Sequence, residues 1–514
     1  MDLLLLDELR GHVEFGCDAL WDRFDVDTFD HLSTQATAMG LHDGYRWTDW
    51  PQIACESNVL SFLEHVFHEL SPFIPAELTT YRFIPSGRVP LRNGDCPRKT
   101  DLVFATTFGS VRNPFPSSSD AAPSWADVRV IGELKANPEK SDNDSTVVQV
   151  ANYVREVFGN QPGRRWVMCF TLCGKELRIW QFDRGGAVGS TIINIDVEWK
   201  LFLRTFFSFA TLDPTSAGFD PTIRCVMHGW EDTFDPTLAA YSPEPSMAKR
   251  WAIITRTGLC SRARLWGTED WTYVVKDQWR APERGPEGDL IRQCSCLDAS
   301  GLPRCIWHGD IRVFQNGIPA GEGIPSLGIP AREDIASLRP RSAGPGATRP
   351  AALTALHLRK VSGNSHYLLR AGCHVQNRVH SRLLISPAGI SLNRFSSYSN
   401  LLTALRDAIS SQRHMFYAHQ ILHRDVSVNN VILCTPLSGP AAGVLIDFDL
   451  AISTTRTTTS GATQRTGTFD FMAHEILENP QTPHTPLHDL ESFFYVLLWL
   501  AIHYDRSGGR RDPP

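Results

Sequence analysis

The chain has neither an excess of basic residues nor a long apolar run. Its 50 Lys and Arg against 56 Asp and Glu give a formal net charge of -6, which argues against a protein whose main role is to bind nucleic acid. The N-terminus lacks the basic start of a signal peptide. The longest apolar stretch, Phe493 to Ile502, is about half the length needed to cross a bilayer. We therefore expect no membrane segment, and nucleic acid is not an expected partner.

Cysteine pairs with metal-binding spacing are also lacking. The 12 cysteines are scattered, and the closest neighbours, Cys169 with Cys173 and Cys294 with Cys296, do not have the spacing of a zinc ribbon or finger. We interpret them as reduced and mostly buried thiols. This interpretation predicts an intracellular protein, cytoplasmic or nuclear.

The length of 514 residues predicts two or more domains. Sequence patterns suggest a mixed helical region (1–95), an α/β module (96–200), a connector (201–250) and a second folded region (251–514). Residues 321–350 within the last region are rich in Gly, Pro and Ala and show no periodicity, so we expect a disordered insertion there.

The α/β module alternates strand and helix patterns. Residues 101–105 and 128–132 are predicted strands, and residues 146–158 have the periodicity of a helix. Two further runs, 166–172 and 177–182, alternate like a pair of antiparallel strands.

The second folded region is predicted to be of mixed α and β structure. Strand-like runs occur at 253–255 and 271–276, and a charged helical stretch follows them. Helices are predicted at 399–419 and 490–502.

The most informative functional pattern is His423-Arg424-Asp425, with Asn430 five residues after the aspartate. Phosphoryl transfer needs an aspartate that orients the acceptor hydroxyl and accepts its proton, and a nearby amide oxygen that holds magnesium. A strand that ends at Asp447 supplies the predicted ligand of the magnesium that bridges the nucleotide phosphates. Taken alone, this last segment is equally consistent with an ordinary acidic turn.

Upstream of these patterns, a strand-like run ends in Lys276, which is where a phosphate-anchoring lysine is found. Glu287 is the predicted carboxylate partner of Lys276. Residues 258–267, beginning with Gly258, are predicted to form the loop that covers the phosphates, although their glycine pattern is incomplete. An exposed lysine on a strand edge is the alternative for Lys276, but the order of all these patterns along the chain favours phosphoryl transfer from ATP.

Residues 467–475 resemble the substrate-facing loop and the Ala-Pro-Glu close of Ser/Thr kinases, with His474 in place of the Pro. This resemblance implies that Thr468 hydrogen-bonds to Asp425, a feature that favours Ser and Thr acceptors over Tyr. Asp489 begins the predicted apolar helix and is suited to cap its N-terminus; in kinases, the aspartate at this place also braces the catalytic loop.

Together these strings resemble the fungal-type protein kinase family. The likeness rests on residues 422–433, 465–468 and 488–495 and covers roughly residues 251–502. It implies an α+β protein in which the N-terminal α/β module precedes a two-lobed kinase-like domain. It also implies ATP and Mg²⁺ as cofactors, and phosphorylation of Ser or Thr in protein substrates.

The chain departs from the usual kinase pattern in its C-terminal half. Ser427, which we include among the catalytic residues, stands where most Ser/Thr kinases carry a lysine, although Ser looks usual in this family. Asp449 replaces the Gly of Asp-Phe-Gly, and because Asp tolerates positive φ the turn should survive. The chain stops at Pro514, so the later C-lobe helices would be absent, and with them the arginine that normally pairs with Glu475; a buried carboxylate without its partner is destabilising. A truncated C-lobe, or a pseudokinase that acts as a scaffold, is therefore an alternative.

Arg424 beside Asp425 suggests regulation by phosphorylation. The segment 453–468 is rich in Thr and Ser, and a phosphate on it would pair with the arginine. A solvated loop without a regulatory role is equally consistent with the composition.

A second constellation lies in the α/β module. Asp101, Glu133, Lys135, Gln149 and Tyr153 resemble the site of the restriction-endonuclease-like fold, in which an Asp and a Glu hold a divalent metal and the Lys helps to activate water. A metal-dependent nuclease with a regulatory kinase-like domain is thus a third hypothesis. The alternative is an exposed strand whose Glu and Lys share one face at i, i+2 spacing.

Overall fold

A computed structural model describes the chain in seventeen segments: 2–24, 27–87, 89–106, 123–220, 223–226, 229–232, 238–241, 251–254, 257–265, 269–281, 283–295, 301–311, 378–434, 441–455, 467–479, 481–505 and 509–511. The insertion predicted at 321–350 lies outside these residues. The chain forms two compact units. The first unit comprises 1–221, 249–258 and 329–378, and the second comprises 222–248, 259–328 and 379–514.

The first unit is built on an eight-stranded mixed sheet. Its strands are β1 (Val13–Glu14), β2 (Arg82–Pro85), β3 (Leu102–Ala105), β4 (Val128–Lys135), β5 (Trp166–Cys173), β6 (Glu176–Asp183), β7 (Gly186–Gly189) and β8 (Ile193–Asn194). Their order is β1-β7-β6-β5-β4-β3-β2, and β8 pairs with β6. β4 and β5 are parallel neighbours, which requires a crossover between them.

Within the described residues, five helices belong to the first unit: α1 (Asp2–Leu9), α2 (Asp30–Ala38), α3 (Glu56–Leu70), α4 (Asp144–Asn160) and α5 (Trp199–Thr211). α4 is the crossover between β4 and β5. Two separate apolar cores cover the sheet. Phe67 of α3 and Phe206 of α5 belong to one core, while Val150 of α4 belongs to the other.

The elements predicted for the α/β module are confirmed. The predicted strands correspond to β3, β4, β5 and β6, and the predicted helix is α4. Gly174 forms the turn between β5 and β6 with φ of +57°, a conformation in which glycine carries no steric penalty.

The second unit contains a seven-stranded sheet of order β14-β15-β13-β12-β11-β10-β9. Its strands are β9 (Ile223–Val226), β10 (Gly229–Asp232), β11 (Leu238–Tyr241), β12 (Thr257–Leu265), β13 (Tyr273–Arg280), β14 (Arg304–Asp310) and β15 (Val379–Ser386). Helix α6 (Glu287–Ser295) follows β13.

The remainder of the second unit is mainly helical. Its helices are α7 (Tyr398–His419), α8 (His474–Glu478) and α9 (Pro486–His503). A small sheet joins β16 (Ile390–Ser391), β18 (Val431–Leu433) and β19 (Gly443–Leu445), and another joins β17 (Ile421–Leu422) to β20 (Ile452–Ser453). Among the described residues, no helix combines the length and apolar character needed to cross a membrane.

Three predictions about this part of the chain are wrong. Most of the loop predicted at 258–267 is strand, because residues 258–265 belong to β12, whose end at 263–265 pairs with β11; residues 266–267 lie outside the described part of the chain. Ile253 and Ile254 do not form a strand, because their amides donate to the carboxylate of Glu8. Residues 201–250 are not a connector, since α5 packs in the first unit and β9 to β11 extend the sheet of the second.

Gly443 is a site where packing leaves no room for a side chain. A Cβ at this position would overlap the backbone of Ala404 in α7, whereas a Cβ at Gly285 would meet open space. We expect Gly443→Ala to lower the free energy of unfolding of the second unit by about 1–3 kcal/mol, the usual cost of overpacking. Thermal unfolding of the variant and of the control Gly285→Ala measures this difference; equal melting temperatures would contradict the described packing of β19 on α7.

Candidate functional site

The ammonium group of Lys276 is the centre of a buried charge cluster. Strand β13 places Lys276 in the interior, and only 6% of the residue is exposed to solvent. Its Nζ atom lies 2.8 Å from Oε2 of Glu287 and 2.6 Å from Oδ1 of Asp447. The structure therefore brings together three predicted residues from distant parts of the sequence.

The charges of this cluster shift one another's pKa values. Burial opposes the charged form of Lys276, but the carboxylates of Asp447 and Glu287 outweigh it and raise the pKa of the ammonium. Burial likewise disfavours the charged carboxylate of Asp447, yet the adjacent lysine lowers its pKa. For Glu287 burial prevails, and its pKa lies above the ordinary value. The lysine is thus fully charged at neutral pH.

Glu287 is held by further donors. The amide nitrogen of Phe448 donates to Oε1 of Glu287 over 2.8 Å, and Nε2 of Gln278 donates to Oε2. Gln278 is not among the residues predicted from the sequence. Gln278 stands two residues after Lys276, so both side chains lie on one face of β13. This spacing is the only feature of the sequence that points to Gln278.

The turn after β19 differs in detail from our expectation. The residue with positive φ is Asp447 itself, at +68°, and Asp449 is not among the residues with positive φ. The side chain of Asp447 accepts a hydrogen bond from the Asp449 amide over 3.4 Å. An aspartate that bonds to nearby backbone tolerates this conformation. The turn forms as expected. The residue with the unfavourable positive φ is, however, Asp447 and not Asp449, which occupies the position of the usual glycine.

Asp425 lies in a loop that two other predicted residues hold in place. Both the amide and the hydroxyl of Thr468 donate to Oδ1 of Asp425, each over 2.8 Å. Nδ2 of Asn430 donates to the backbone carbonyl of Asp425 over 2.7 Å. Burial raises the pKa of Asp425, with the hydrogen bonds of Thr468 opposing it. Ser427 is buried and precedes the 3₁₀ turn that carries Asn430.

Asp489 fixes the same loop through its backbone. It is fully buried and accepts hydrogen bonds from the amides of His423 (3.0 Å) and Arg424 (2.9 Å). A further hydrogen bond joins it to His484 at 2.9 Å. Burial raises the pKa of Asp489, but the hydrogen bond and charge of His484 outweigh it and leave the pKa below its usual value.

The predicted helix-capping role of Asp489 is therefore wrong. Thr485 is the N-cap of α9 and forms a capping box with His488, so the helix end already has its partners. The carboxylate of Asp489 instead serves amides of a distant loop, which holds Arg424 at a φ of +68°. Such a backbone conformation is unfavourable for arginine and persists only where surrounding contacts impose it.

The expectation of a buried Glu475 without a partner is also wrong. The side chain of Glu475 is 66% exposed, and its Oε2 lies 3.0 Å from Nε2 of His488. Exposure removes most of the cost of the charge, and His488 is a partner of this carboxylate. The regulatory hypothesis for Arg424 stays a prediction, because residues 456–466 of the Thr/Ser-rich segment lie outside the described part of the chain.

The second predicted constellation lies in the first unit and is compact. Nζ of Lys135 lies 2.5 Å from Oε1 of Glu133 and 3.4 Å from Oε1 of Glu56. Asp101 accepts a hydrogen bond from the Leu134 amide over 2.7 Å. Glu56 is not among the residues predicted from the sequence. Nothing in the sequence indicates that the start of α3 lies beside β4.

Glu133 is the most perturbed acid of this constellation. It is 1% exposed, and in the described part of the chain its Oε2 atom has no hydrogen-bond partner. Burial, followed by the charge of Asp101, raises its pKa to about 8. The exposed-strand alternative is wrong, because β4 is an interior strand between β3 and β5.

Gln149 and Tyr153 lie on α4, where Nε2 of the glutamine donates to the tyrosine hydroxyl over 2.9 Å. Burial and then the charge of Glu133 raise the pKa of the Tyr153 hydroxyl. This effect of the Glu133 charge indicates that Tyr153 lies near Glu133. The predicted residues of this constellation therefore lie on or beside one interior strand, β4.

Residues 101–501 match the model of the fungal protein kinase family, which covers most of the chain. The chain belongs to the fungal protein kinase family. The predicted α+β, kinase-like fold and the family resemblance are thereby confirmed, and by family the chain is a protein kinase, a transferase. The match begins at Asp101, so the family model includes much of the first unit as well as the second.

Other comparisons add little. Among solved structures, the kinase PK-1 of the Cydia pomonella granulovirus is similar at a TM-score of 0.28 and 8% identity, over 48% of this chain and 67% of that chain. No curated protein matches the sequence.

Asp489 offers a test of the loop geometry. Its pKa is lowered in the folded state, so the carboxylate contributes stability above its ordinary pKa of about 4, and this contribution is lost as the pH falls through the folded value. We expect Asp489→Asn to lower the free energy of unfolding at pH 7 by about 2–3 kcal/mol, because one backbone amide loses its acceptor. The difference from the wild type should stay near its full size down to about pH 4 and narrow as the pH falls further, through the folded pKa.

Calorimetric unfolding between about pH 7 and pH 2, which spans the ordinary and the lowered pKa of this carboxylate, measures the effect, with Asp470→Asn as a control at an exposed aspartate of the same unit. A stability difference that stays constant over this pH range would contradict the role of the charged carboxylate.

Proposed function

We propose that the chain transfers the γ-phosphate of ATP to Ser or Thr hydroxyls of protein substrates. The observation that carries this proposal is the contact of Lys276 with both Glu287 and Asp447. A lysine and a glutamate held in this way anchor nucleotide phosphates in kinases, and the aspartate holds the metal. Membership of a kinase family supports the same conclusion.

Asn430 and Asp447 are the residues that would hold Mg²⁺. Both offer oxygen atoms, the ligands that this ion prefers. The amide nitrogen of Asn430 is engaged by the carbonyl of Asp425, so the oxygen is the amide atom that remains for a cation. Bound Mg²⁺ would neutralise the charge that develops on the phosphate oxygens during transfer.

The geometry of the loop supports the remaining proposed roles. Asp425 orients the acceptor hydroxyl and accepts its proton, while the nucleotide phosphates pair with Lys276. Thr468 holds the carboxylate of Asp425 through two hydrogen bonds. This contact supports Ser and Thr as acceptors, in line with the resemblance to Ser/Thr kinases.

Two observations weigh against the pseudokinase scaffold. The acidic turn is formed despite Asp449, since Asp447 supplies the positive φ. Glu475 is exposed and paired with His488, so it brings no uncompensated buried charge. We also infer an intracellular location, cytoplasmic or nuclear, from the scattered spacing of the cysteines.

Phosphate transfer tests the proposal. We expect the wild-type chain to transfer labelled phosphate from ATP, in the presence of Mg²⁺, to Ser and Thr of a basic protein mixture. Asp447→Asn should lower the rate by about a hundredfold or more, because a group that stabilises the transferred charge is removed. Asp270→Asn, at an exposed aspartate of the second unit, is the matched control and should remain active.

A folded wild-type chain that transfers no phosphate would contradict the proposal and favour the scaffold. Transfer to Tyr alone would contradict the assigned acceptor class.

A second candidate function, metal-dependent hydrolysis of nucleic acid, is favoured by one observation in the first unit. Oε2 of Glu133 is buried and lacks a hydrogen-bond partner in the described part of the chain, and burial, followed by the charge of Asp101, raises the pKa of Glu133. A divalent cation held by these two carboxylates would relieve both effects, and it would supply the activation of water. Lys135, which contacts Glu133, would hold that water in position.

Cleavage of DNA with Mg²⁺ or Mn²⁺ tests this candidate in the Asp447→Asn background, in which phosphate transfer is suppressed. We expect Glu133→Ala to abolish cleavage, because one of the two metal ligands is lost. Glu139→Ala, at an exposed glutamate after β4, should have no effect. Absence of cleavage, or cleavage that persists in Glu133→Ala, would remove the candidate.

A further inference from the structure

Gln278 is a buried polar residue whose partner is a residue of the proposed active site. Only 3% of Gln278 is exposed, and its Nε2 atom donates to Oε2 of Glu287. This is the same carboxylate oxygen that Nζ of Lys276 contacts. Gln278 and Lys276 stand two residues apart on β13, so one strand supplies two of the donors to Glu287.

Glu287 needs such support because of its place in the chain. It is the first residue of α6, so no preceding helical turn restrains its backbone. It is also buried, and a buried carboxylate is costly unless its oxygens find donors. Lys276, Gln278 and the Phe448 amide supply these donors.

The need increases in the working enzyme. Lys276 now contacts both Glu287 and Asp447. When Asp447 takes up its proposed role as a metal ligand, Glu287 remains as the carboxylate that positions the lysine. The position of Lys276 then depends on how firmly Glu287 is held. Gln278, on the same strand as Lys276, donates the hydrogen bond that helps to hold Glu287.

The next residue on this face of β13 anchors the chain just before α6. Nη1 of Arg280 donates to the carbonyl of Arg284 over 2.7 Å, and Nη2 contacts both oxygens of Asp310 at 2.8 and 2.7 Å. The backbone that leads into Glu287 is therefore fixed to β13 as well. A single strand face thus sets the start of α6 through Gln278 and Arg280.

We propose that Gln278 is a positioning residue for phosphoryl transfer: its amide holds the Glu287 carboxylate in place so that Glu287 can position Lys276. The inference rests on the proposed kinase function. It predicts that the amide group, and not the volume of the side chain, is what matters at position 278.

Three variants separate these effects. Gln278→Met keeps the length of the side chain and removes the donor, and Gln278→Glu replaces the donor with a second carboxylate beside Glu287. Gln412→Met is the matched control, since Gln412 is a buried glutamine of α7 whose Nε2 has no hydrogen-bond partner in the described part of the chain. We expect kcat/KM for ATP to fall about tenfold in Gln278→Met, as for loss of a hydrogen bond to a charged group, and further in Gln278→Glu. Gln412→Met should stay within about twofold of the wild type.

Amide hydrogen exchange provides a readout that does not require catalysis. The amide of Phe448 donates to Glu287, so its exchange rate reports how well the carboxylate is held. We expect about a tenfold faster exchange in Gln278→Met than in the wild type. In a Glu287→Gln background, the same substitution should add less than about twofold, because Gln278 acts through Glu287.

The outcomes distinguish this inference from the proposed function. If the wild type is active, and Gln278→Met stays within twofold of it in both kcat/KM and the exchange rate of the Phe448 amide, the role of Gln278 is overturned. The proposed kinase function would then be unaffected. Faster exchange in Gln278→Met, in a protein that transfers no phosphate, would support the positioning contact and contradict the kinase function. Similar activity of the Gln, Met and Glu forms would show that the side chain only fills space and would overturn the inference.

Discussion

The burial of the Lys276 ammonium is the constraint on which the proposed active site depends. A buried charge without a partner costs several kcal/mol, so Lys276 occupies this position because Glu287 and Asp447 both contact it. The amide of Phe448, next to Asp447, bonds in turn to Glu287. Strand β13, the start of α6 and the acidic turn after β19 therefore hold one another in place.

The same principle appears in the first unit with different residues. There too one lysine, Lys135, lies beside an acidic pair formed by Glu133 and Asp101. Both clusters contain more carboxylates than lysines, since Glu56 also contacts Lys135, and carboxylate oxygens are ligands that a divalent cation prefers. The clusters differ in how their acids are satisfied: Glu287 has three donors, whereas Oε2 of Glu133 has none in the described part of the chain.

The site contacts that the sequence predicts correctly are those between residue types that the proposed chemistry demands. Lys276 and Asp447 can be paired from the sequence alone, because phosphoryl transfer needs a cation and a metal ligand in a set order along the chain. Prediction fails where tertiary contacts decide the partner. Asp489 satisfies the local rule for a helix cap, yet Thr485 already caps α9. The contact of Asp489 with amides of a distant loop was implied by the resemblance to kinases and not by the local pattern. Gln278 could not be recognised, since its significance depends entirely on where Glu287 lies.

The most direct test of the account is a crystal structure with Mg²⁺ and a non-hydrolysable ATP analogue. We predict that Asp447 leaves Lys276 and coordinates the metal, while Glu287 keeps its contacts with Lys276 and Gln278. The phosphates should lie beside Lys276, with Asn430 as the second protein ligand of Mg²⁺. Nucleotide bound elsewhere, or a Lys276–Asp447 contact that persists with no metal at Asp447, would contradict the account.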